Sequence, residues 1–334
     1  MRCPSLRDLP APPEDKQGWP WNVESPQLPD RMPDGAPWPR ISIVSATLNQ
    51  ARYIELMLRS VLLQGYPDVE LIVHDGGSTD GTLDILKRYD AWITYWVSEA
   101  DRGQSHALNK GLARASGRLV NTFDSDDYVT AGAFGVVGGF HAQRPDCMIA
   151  GDVLRTWEGT VENEIYFPDD VDLETYVQWW RTYHHGGPGI YYPLAHLEKA
   201  GAIDESLHYL WDYELTLRCL EQVPLVALRT PLAVIVHSAG SKGMSGSHHF
   251  EWDLAEIWKR RRLEFPRLTD EGDRHTAAML FGSGLKRVLG GHGDGVPFVA
   301  SGVRMHTRGA LAFVASWPLR KWRRWRARTA PLRA

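Results

Sequence analysis

The chain has 334 residues, of which 43% are hydrophobic and 23% charged, and its net charge is −4 with a pI near 6.4. This composition predicts a globular protein and argues against a dedicated nucleic-acid-binding protein, whose surface would be basic overall. The three cysteines are far apart, and we find neither an N-terminal signal pattern nor an apolar run of about 18 residues. We therefore expect no disulfide framework, no zinc ribbon and no membrane span, and a location in the reducing cytoplasm.

Residues 1–39 are rich in proline and lack periodicity, so we interpret them as an extended arm with Trp19, Trp21 and Trp38 as candidate anchors. From residue 40 onward, short apolar runs alternate with segments of helical spacing. The predicted strands are Ile41–Thr47, Val69–His74, Trp92–Val97 and Leu119–Phe123, and the predicted helices are Tyr53–Gln64, Thr82–Tyr89 and Ser105–Ala115. Such alternation predicts an α/β fold with a mostly parallel, Rossmann-like sheet flanked by helices.

An acidic turn follows the fourth predicted strand. Asp124, Asp126 and Asp127 come directly after an apolar run, in the sequence NTFDSDDY. The carboxyl edge of a parallel sheet is where open α/β folds bind ligands, and clustered oxygen ligands suit a hard divalent cation. A solvated turn is the alternative for an isolated D-x-D motif.

A second polar turn, HDGGSTDGT, follows the second predicted strand. Asp75 ends that strand, and Gly76 and Gly77 would allow backbone N–H groups to approach a ligand. A capped turn without a ligand explains this segment equally well. The first turn, LNQARY, has neither the dinucleotide glycine fingerprint nor the G-K-[ST] of a P-loop, which excludes both of those nucleotide sites.

The ordered segments SATLNQARYIELMLRSVLLQ, DGGSTDGT, SEADRGQSHALNKGLARASG and FDSDD resemble the inverting family 2 glycosyltransferases, which have the GT-A fold. The resemblance covers residues 41 to about 130 strongly and extends weakly to about 245. It implies transfer of a sugar from a nucleotide-diphosphate sugar, with a UDP-sugar favoured. It also implies nucleotide contacts from Thr47, Asn49, Asp75 and Gly76, and a D-x-D of Asp124 and Asp126 in which Asp126 touches Mn²⁺ or Mg²⁺.

One position departs from the family pattern. Many family members have an arginine before the asparagine of the A-R-N-x-G segment, whereas this chain reads Ala107–Leu108–Asn109–Lys110–Gly111. A cationic contact with the nucleotide must then come from Arg102, His106 or Lys110.

A general base is sought further along the chain, because the acceptor hydroxyl loses a proton as it attacks. The segment YLWDYELTLRCL resembles the E-D-x-D-L-x-L-R stretch of the family, which assigns the base to Asp212, with Glu214 as the second candidate. Trp211 replaces the usual glutamate before it. The alternative is that Asp212 only stabilises the first helical turn.

The segment HSAGSKG resembles a flexible family loop that closes over the diphosphate. By this resemblance His237 is a third metal ligand or a phosphate donor, and Lys242 contacts phosphate. A lone histidine is more often a hydrogen-bonded polar residue without such a role. The upstream segment HHGGP, residues 184–188, is either room for a sugar ring or a tight turn.

The last third of the chain is predicted to be helical, with segments near Phe250–Trp258, Thr276–Leu289 and Gly309–Ser316. We thus expect an arm at 1–39, a GT-A domain at 40–245, a helical extension at 246–316 and a basic tail at 317–334. Tryptophans alternate with arginines in that tail, a composition typical of contact with the anionic inner face of the cell membrane. A disordered basic tail is the alternative.

The sequence therefore favours a metal-dependent inverting glycosyltransferase that acts on a glycan or lipid-linked acceptor. A non-catalytic sugar-nucleotide-binding module with the same fold is the alternative, and a nucleotidyltransferase is a weaker third hypothesis.

Overall fold

The computed structural model describes residues 1–157, 160–167, 170–181, 187–238 and 247–312. The chain divides into a sheet unit, Met1–Tyr176 with Tyr183–Met244, and a helical unit, Val177–Thr182 with Ser245–Ala334.

The described strands form a ten-stranded sheet. They are β1 (Ile41–Thr47), β2 (Val69–Asp75), β3 (Tyr95–Ser98), β4 (Leu119–Asp124), β5 (Tyr128–Val129), β6 (Met148–Trp157), β7 (Thr160–Ile165), β8 (Asp170–Val171), β9 (Ile190–Pro193) and β10 (Leu225–His237). The order is β3-β2-β1-β4-β9-β6-β10-β5, with β7 beside β6 and β8 beside β10. β1 to β4 are parallel, β9 is antiparallel to both of its neighbours, and β10 is parallel to β6.

The described helices follow the alternation that the sequence predicts in its first half. They are α1 (Ile54–Leu62), α2 (Thr82–Arg88), α3 (Gln104–Leu112), α4 (Ala133–Gln143), α5 (Leu173–Val177), α6 (Leu194–Ala200), α7 (Trp211–Leu220), α8 (Ser247–Arg261), α9 (Thr269–Leu289) and α10 (Gly295–Met305). The prediction of an α/β fold with a mostly parallel sheet and C-terminal helices is confirmed. The third predicted strand is shorter than expected, because a 3₁₀ turn occupies Asp90–Trp92.

The central strands are buried along nearly their whole length, as expected for parallel strands covered on both faces. Their register places three of the predicted site residues side by side. Thr47 pairs with Asp75 across β1 and β2, and Ala46 pairs with Asp124 across β1 and β4. Thr47, Asp75 and Asp124 therefore end three adjacent strands at one edge of the sheet.

The proline-rich residues 1–39 belong to the sheet unit and contact its other residues. The fully buried guanidinium of Arg59 donates hydrogen bonds to the backbone oxygens of Pro10, Pro20 and Trp21, at 2.8, 3.1 and 2.8 Å. Trp19 Nε1 donates to the Val129 carbonyl oxygen at 2.8 Å. Because a buried charge is costly without partners, these carbonyl groups stabilise Arg59 while Arg59 fixes the arm.

In the helical unit, the indole of Trp258 is buried and donates to Asp273 of α9 at 2.8 Å. The ring of Trp180 lies 5.0 Å from that of Trp258, which agrees with a packing role for this tryptophan.

α9 begins earlier than predicted, and the sequence did not predict α10. Residues 307–312 are helical, and the rest of the helix predicted at Gly309–Ser316 lies outside the described residues. Within the described part of the chain, no helix has both the length and the hydropathy needed to cross a bilayer.

Candidate active site

The acidic turn after β4 brings three carboxyl groups together. Asp124, Asp126 and Asp127 each present a ligand atom, and these atoms lie within 4.8 Å of one another. Asp127 is 4% exposed, whereas the other two are half-buried. Burial, with the charges of Asp126 and Asp124 beside it, raises the pKa of Asp127 well above its usual value. Carboxylate oxygens converging in this way fit a hard divalent cation, so the donor set matches the metal that the sequence predicts.

Asp127 also connects the turn to the end of β10. Its Oδ1 accepts a hydrogen bond from the backbone N–H of Val236 at 2.9 Å, and His237 is the next residue and the last of β10. Among the described residues, the group of converging ligand atoms consists of the three aspartates and does not include His237. The metal role of His237 stays a prediction, and Lys242 lies outside the described residues.

Helix α3 contacts the acidic turn and also the segment that leads to Asp212. At its start, Gln104 Nε2 donates to Asp124 Oδ1. Further along, the Asn109 side chain bonds both backbone polar groups of Ile203, at 3.0 and 2.8 Å. Just before the helix, Arg102 pairs with Glu205 at 2.7 Å. One helix thus fixes both the predicted metal turn and the segment before α7.

Asp212 lies in the first turn of α7, as predicted, and is 8% exposed. A Cβ atom built on Gly187 would lie 2.7 Å from Asp212 Oδ2, so this carboxylate fills the space that a side chain at position 187 would take. The turn at Gly187 is fixed by Asn121 of β4, whose Nδ2 donates to the Pro188 and Ile190 carbonyl oxygens, both at 2.9 Å. β4 therefore carries the acidic turn at its end, and its Asn121 side chain fixes the turn that lies beside Asp212. Residues 184–186 lie outside the described residues.

Glu214, the second candidate base, is already paired. Both of its carboxylate oxygens accept from Arg218 Nε, at 2.9 and 3.0 Å. Arg218 in turn donates to the carbonyl oxygens of Ala200, Gly201 and Ala202. Glu214 therefore positions Arg218, which holds α7 to the end of α6, and this leaves Asp212 as the better placed carboxylate.

The loops after β1 and β2 are joined by side-chain hydrogen bonds. Asn49 Oδ1 accepts from Thr79 N at 2.9 Å, and Asn49 N donates to Ser78 Oγ at 2.7 Å. Asn49 adopts a left-handed backbone with φ of 53°, which asparagine tolerates better than most residues. These contacts hold the two loops in one conformation beside the predicted nucleotide pocket.

Asp75 is buried at the centre of the second loop. Its carboxylate accepts from the backbone of Gly77 and Ser78, at 3.0 and 2.9 Å, and from the hydroxyls of Ser78 and Ser98. Gly76 N donates to the Thr47 carbonyl oxygen at 2.8 Å. The N–H groups of Gly76 and Gly77 therefore both donate to protein oxygens. Nucleotide roles for Asp75 and Gly76 stay predictions.

Thr47 is also buried, and within the described residues its hydroxyl has no hydrogen-bond partner. Lys110, the third cation that the sequence offers, pairs with Glu99 at 2.7 Å, and this contact lowers the pKa of Glu99. Exposed ion pairs of this kind add little to the free energy of unfolding. Arg102 and Lys110 could therefore each exchange a carboxylate partner for a phosphate. The nucleotide contacts of Thr47 and Lys110 stay predictions.

Sequence reasoning missed Gln104, Asn109 and Asn121. Each makes its contact with a residue distant in the chain. One signal was available for Asn121, because a polar amide inside a buried apolar strand needs partners. Nothing local marks Gln104 as different from surface residues of a helix, and the resemblance identified Asn109 only as part of the A-R-N-x-G segment, without this contact.

Comparison with known proteins matches part of this chain to glycosyltransferases. Residues 42–189 match the family model of glycosyl transferase family 2. Over 92 residues the chain is 44% identical to TuaG of Bacillus subtilis, a glycosyltransferase named for teichuronic acid biosynthesis, covering 27% of this chain and 36% of that protein. Over 130 residues it is 31% identical to a Campylobacter jejuni GalNAc(5)-diNAcBac-PP-undecaprenol beta-1,3-glucosyltransferase, covering 38% of this chain and 42% of that protein. The chain thus matches less than half the length of these relatives.

Solved structures with low sequence identity share the fold. S. aureus TarS 1-349 in complex with UDP-GlcNAc aligns with a TM-score of 0.58 at 16% identity, covering 83% of this chain and 92% of that one. The mannosyltransferase PcManGT from Pyrobaculum calidifontis, in complex with GDP-Man and Mn²⁺, aligns with a TM-score of 0.53 at 19% identity, covering 88% and 85%. At these identities the likeness establishes the fold, which is the GT-A arrangement expected from the sequence.

Proposed function

Because the chain carries a glycosyl transferase family 2 domain with the GT-A fold, we propose that it is a metal-dependent inverting glycosyltransferase. The donor is a nucleotide-diphosphate sugar, with a UDP-sugar favoured, and the acceptor is a hydroxyl of a glycan or a lipid-linked glycan. The TarS structure with UDP-GlcNAc supports the donor class. The undecaprenol-linked substrate in the name of the Campylobacter relative supports the acceptor class.

The observation that carries the proposal is the double contact of α3. Gln104 donates to Asp124, and Asn109 holds the segment that precedes Asp212. The two kinds of carboxylate that the reaction needs are thereby linked to one rigid element. Catalysis depends on holding such groups in a fixed relative geometry.

The three aspartates of the acidic turn fit Mn²⁺ or Mg²⁺, with Asp124 and Asp126 as the predicted ligands. A divalent cation held there would neutralise negative charge on the diphosphate leaving group. Asp127 keeps the turn in place through Val236 N.

Asp212 acts on the acceptor. Its carboxylate takes the proton from the acceptor hydroxyl while that oxygen bonds to the anomeric carbon. The bond from that carbon to the diphosphate breaks at the same time, and the nucleoside diphosphate leaves with the electron pair. Asp212 lies in the first turn of α7, where the helix dipole stabilises negative charge.

The test compares Asp212→Asn with Glu214→Gln. Asp212→Asn should lower the rate of sugar transfer by about 10²- to 10⁴-fold, the usual contribution of a general base, with unchanged donor affinity by calorimetry. Glu214→Gln should keep most of the transfer rate, since the Glu214 side chain is paired with Arg218 of the same helix. Full transfer by Asp212→Asn would refute the assigned base. Donor binding without any transfer or sugar release by the unaltered chain would favour the non-catalytic module.

The remaining roles come from the sequence alone. A phosphate contact from Lys242, a metal contact from His237 and a contact of residues 317–334 with the inner face of the cell membrane belong to the proposal as predictions. The basic tail lies outside the described residues.

A further inference from the structure

The hairpin formed by α9 and α10 exposes large apolar side chains. Leu289, Val296, Val288 and Val303 are 71%, 57%, 40% and 38% exposed. Val296 and Val303 lie two helical turns apart and therefore share one face of α10. A Cβ atom at Gly295 would lie 2.9 Å from Val288 N, so the end of α9 and the start of α10 are adjacent. We call these four residues the hairpin surface.

The hairpin surface is not needed to pack the helical unit. α10 contacts α9 through its small residues, since a Cβ atom at Gly302 would lie 2.7 Å from the Ala277 carbonyl oxygen. Phe298 fills the inner side, 4.9 Å from the ring of Trp252. Val296 and Val303 lie outside this interface, since both are exposed. An exposed apolar patch of this kind marks an interaction site.

The described residues next to this surface carry more positive than negative charge, since Lys286, Arg304 and Arg308 are exposed and Arg287 pairs with Asp294. Residues 295–334 hold nine of the 37 Lys and Arg residues of the chain and none of its 41 Asp and Glu residues. Arg304 and Arg308 belong to this set and are exposed. Residues 1–294 hold the other 28 Lys and Arg residues and all 41 Asp and Glu residues, so positive charge is concentrated in the last part of the sequence.

We propose that the hairpin surface docks on an anionic lipid bilayer. The four apolar side chains enter the boundary between headgroups and acyl chains, while Arg304 and Arg308 contact anionic headgroups. A second copy of the chain is disfavoured as the partner, because two such surfaces would bring like charges together.

The three native cysteines, Cys3, Cys147 and Cys219, are all buried, so a cysteine introduced by Val303→Cys can be labelled selectively with an environment-sensitive fluorophore. Val136→Cys on α4 is the matched control, because Val136 is 42% exposed. We expect a blue shift of the label at position 303 with vesicles of phosphatidylglycerol and phosphatidylcholine, and no shift with phosphatidylcholine alone. The label at position 136 should not shift. No shift at position 303, or equal shifts at both positions, would overturn the proposal.

Vesicle flotation of the full chain provides the second measurement. The double variant Val296→Ser/Val303→Ser should partition onto the anionic vesicles about tenfold more weakly, because it lacks the two valine side chains that would be partly buried in the bilayer. Its thermal unfolding and its affinity for UDP should not change. Unchanged flotation would overturn the proposal. A blue shift that grows with protein concentration in the absence of vesicles would also do so, by assigning the surface to a second copy of the chain.

Discussion

The side-chain amide of Asn109 hydrogen-bonds both backbone polar groups of Ile203, with Nδ2 donating at 3.0 Å and Oδ1 accepting at 2.8 Å. The amide thus makes with Ile203 the same two kinds of hydrogen bond that a residue of a neighbouring β-strand would make. Because Gln104 of the same helix donates to Asp124, α3 connects the acidic turn with the segment that leads to Asp212. The relative placement of the predicted metal ligands and the predicted base thus depends on a helix that contributes neither.

Asn109→Ala removes both bonds to Ile203. At about 1 kcal/mol for each hydrogen bond, we expect the free energy of unfolding to fall by about 2 kcal/mol. The transfer rate should fall by about ten- to a hundredfold, because Asp212 loses its fixed position, while donor affinity should not change. Urea unfolding, initial rates and calorimetry measure these quantities. Ser206→Ala, in the same segment, is the control, and a full transfer rate in Asn109→Ala would contradict the role of α3.

Gly187→Ala would place a methyl group 2.7 Å from Asp212 Oδ2 and displace the carboxylate. We expect a loss of transfer activity of about a hundredfold with unchanged donor affinity. Gly139→Ala is the matched control, because a Cβ atom there meets nothing within 4 Å. That change should leave activity unaltered and stabilise α4 by about 0.5–1 kcal/mol. Equal activity in the two variants would place Asp212 outside the reaction.

Asp126→Ala should abolish the dependence of donor binding on metal. In calorimetry with and without Mn²⁺, the unaltered chain should bind the UDP-sugar more tightly with the metal, and the variant should bind equally in both conditions. Asp84→Ala on α2, outside the acidic turn, should behave like the unaltered chain. A metal effect that survives in Asp126→Ala would remove this residue from the predicted ligands.

His74 should contribute to the pH dependence of stability. Burial lowers its pKa, so the folded protein keeps the imidazole neutral at a pH where the unfolded chain already binds a proton. The stabilisation is complete above about pH 6.5, the value of the unfolded chain, and is lost as the pH falls towards and through the lowered folded pKa. In urea unfolding between about pH 7 and pH 5, His74→Gln should lose stability less steeply than the unaltered chain. The exposed His292→Gln is the control, and identical slopes for His74→Gln and the unaltered chain would refute this contribution.

Local patterns were sufficient for the first half of the fold. β1 begins and ends where the apolar run Ile41–Thr47 does, and the glycines at 65 and 117 follow the helices they were expected to end. Strands and helices of this kind are specified by residues close together in the chain. The arm was harder to predict, because its contact with Arg59 requires the sheet unit to be present.

α10 was missed for a related reason. Glycines at 295 and 302 weaken the local helix signal, yet they are the residues that let α10 approach α9 closely. The helix is stabilised by this packing and not by propensity.

The sequence alone determined the acidic turn, since Asp124, Asp126 and Asp127 are neighbours along the chain and come at the end of a strand whatever else the protein does. It also placed Asp212 in the first turn of a helix, which its local sequence specifies. Only the tertiary structure decided that Gln104 and Asn109 link these two sites, that Asn121 supports the turn beside Asp212, and that Gly187 leaves room for its carboxylate. These contacts join residues far apart in the chain, so they form only when the whole sheet and its helices have packed.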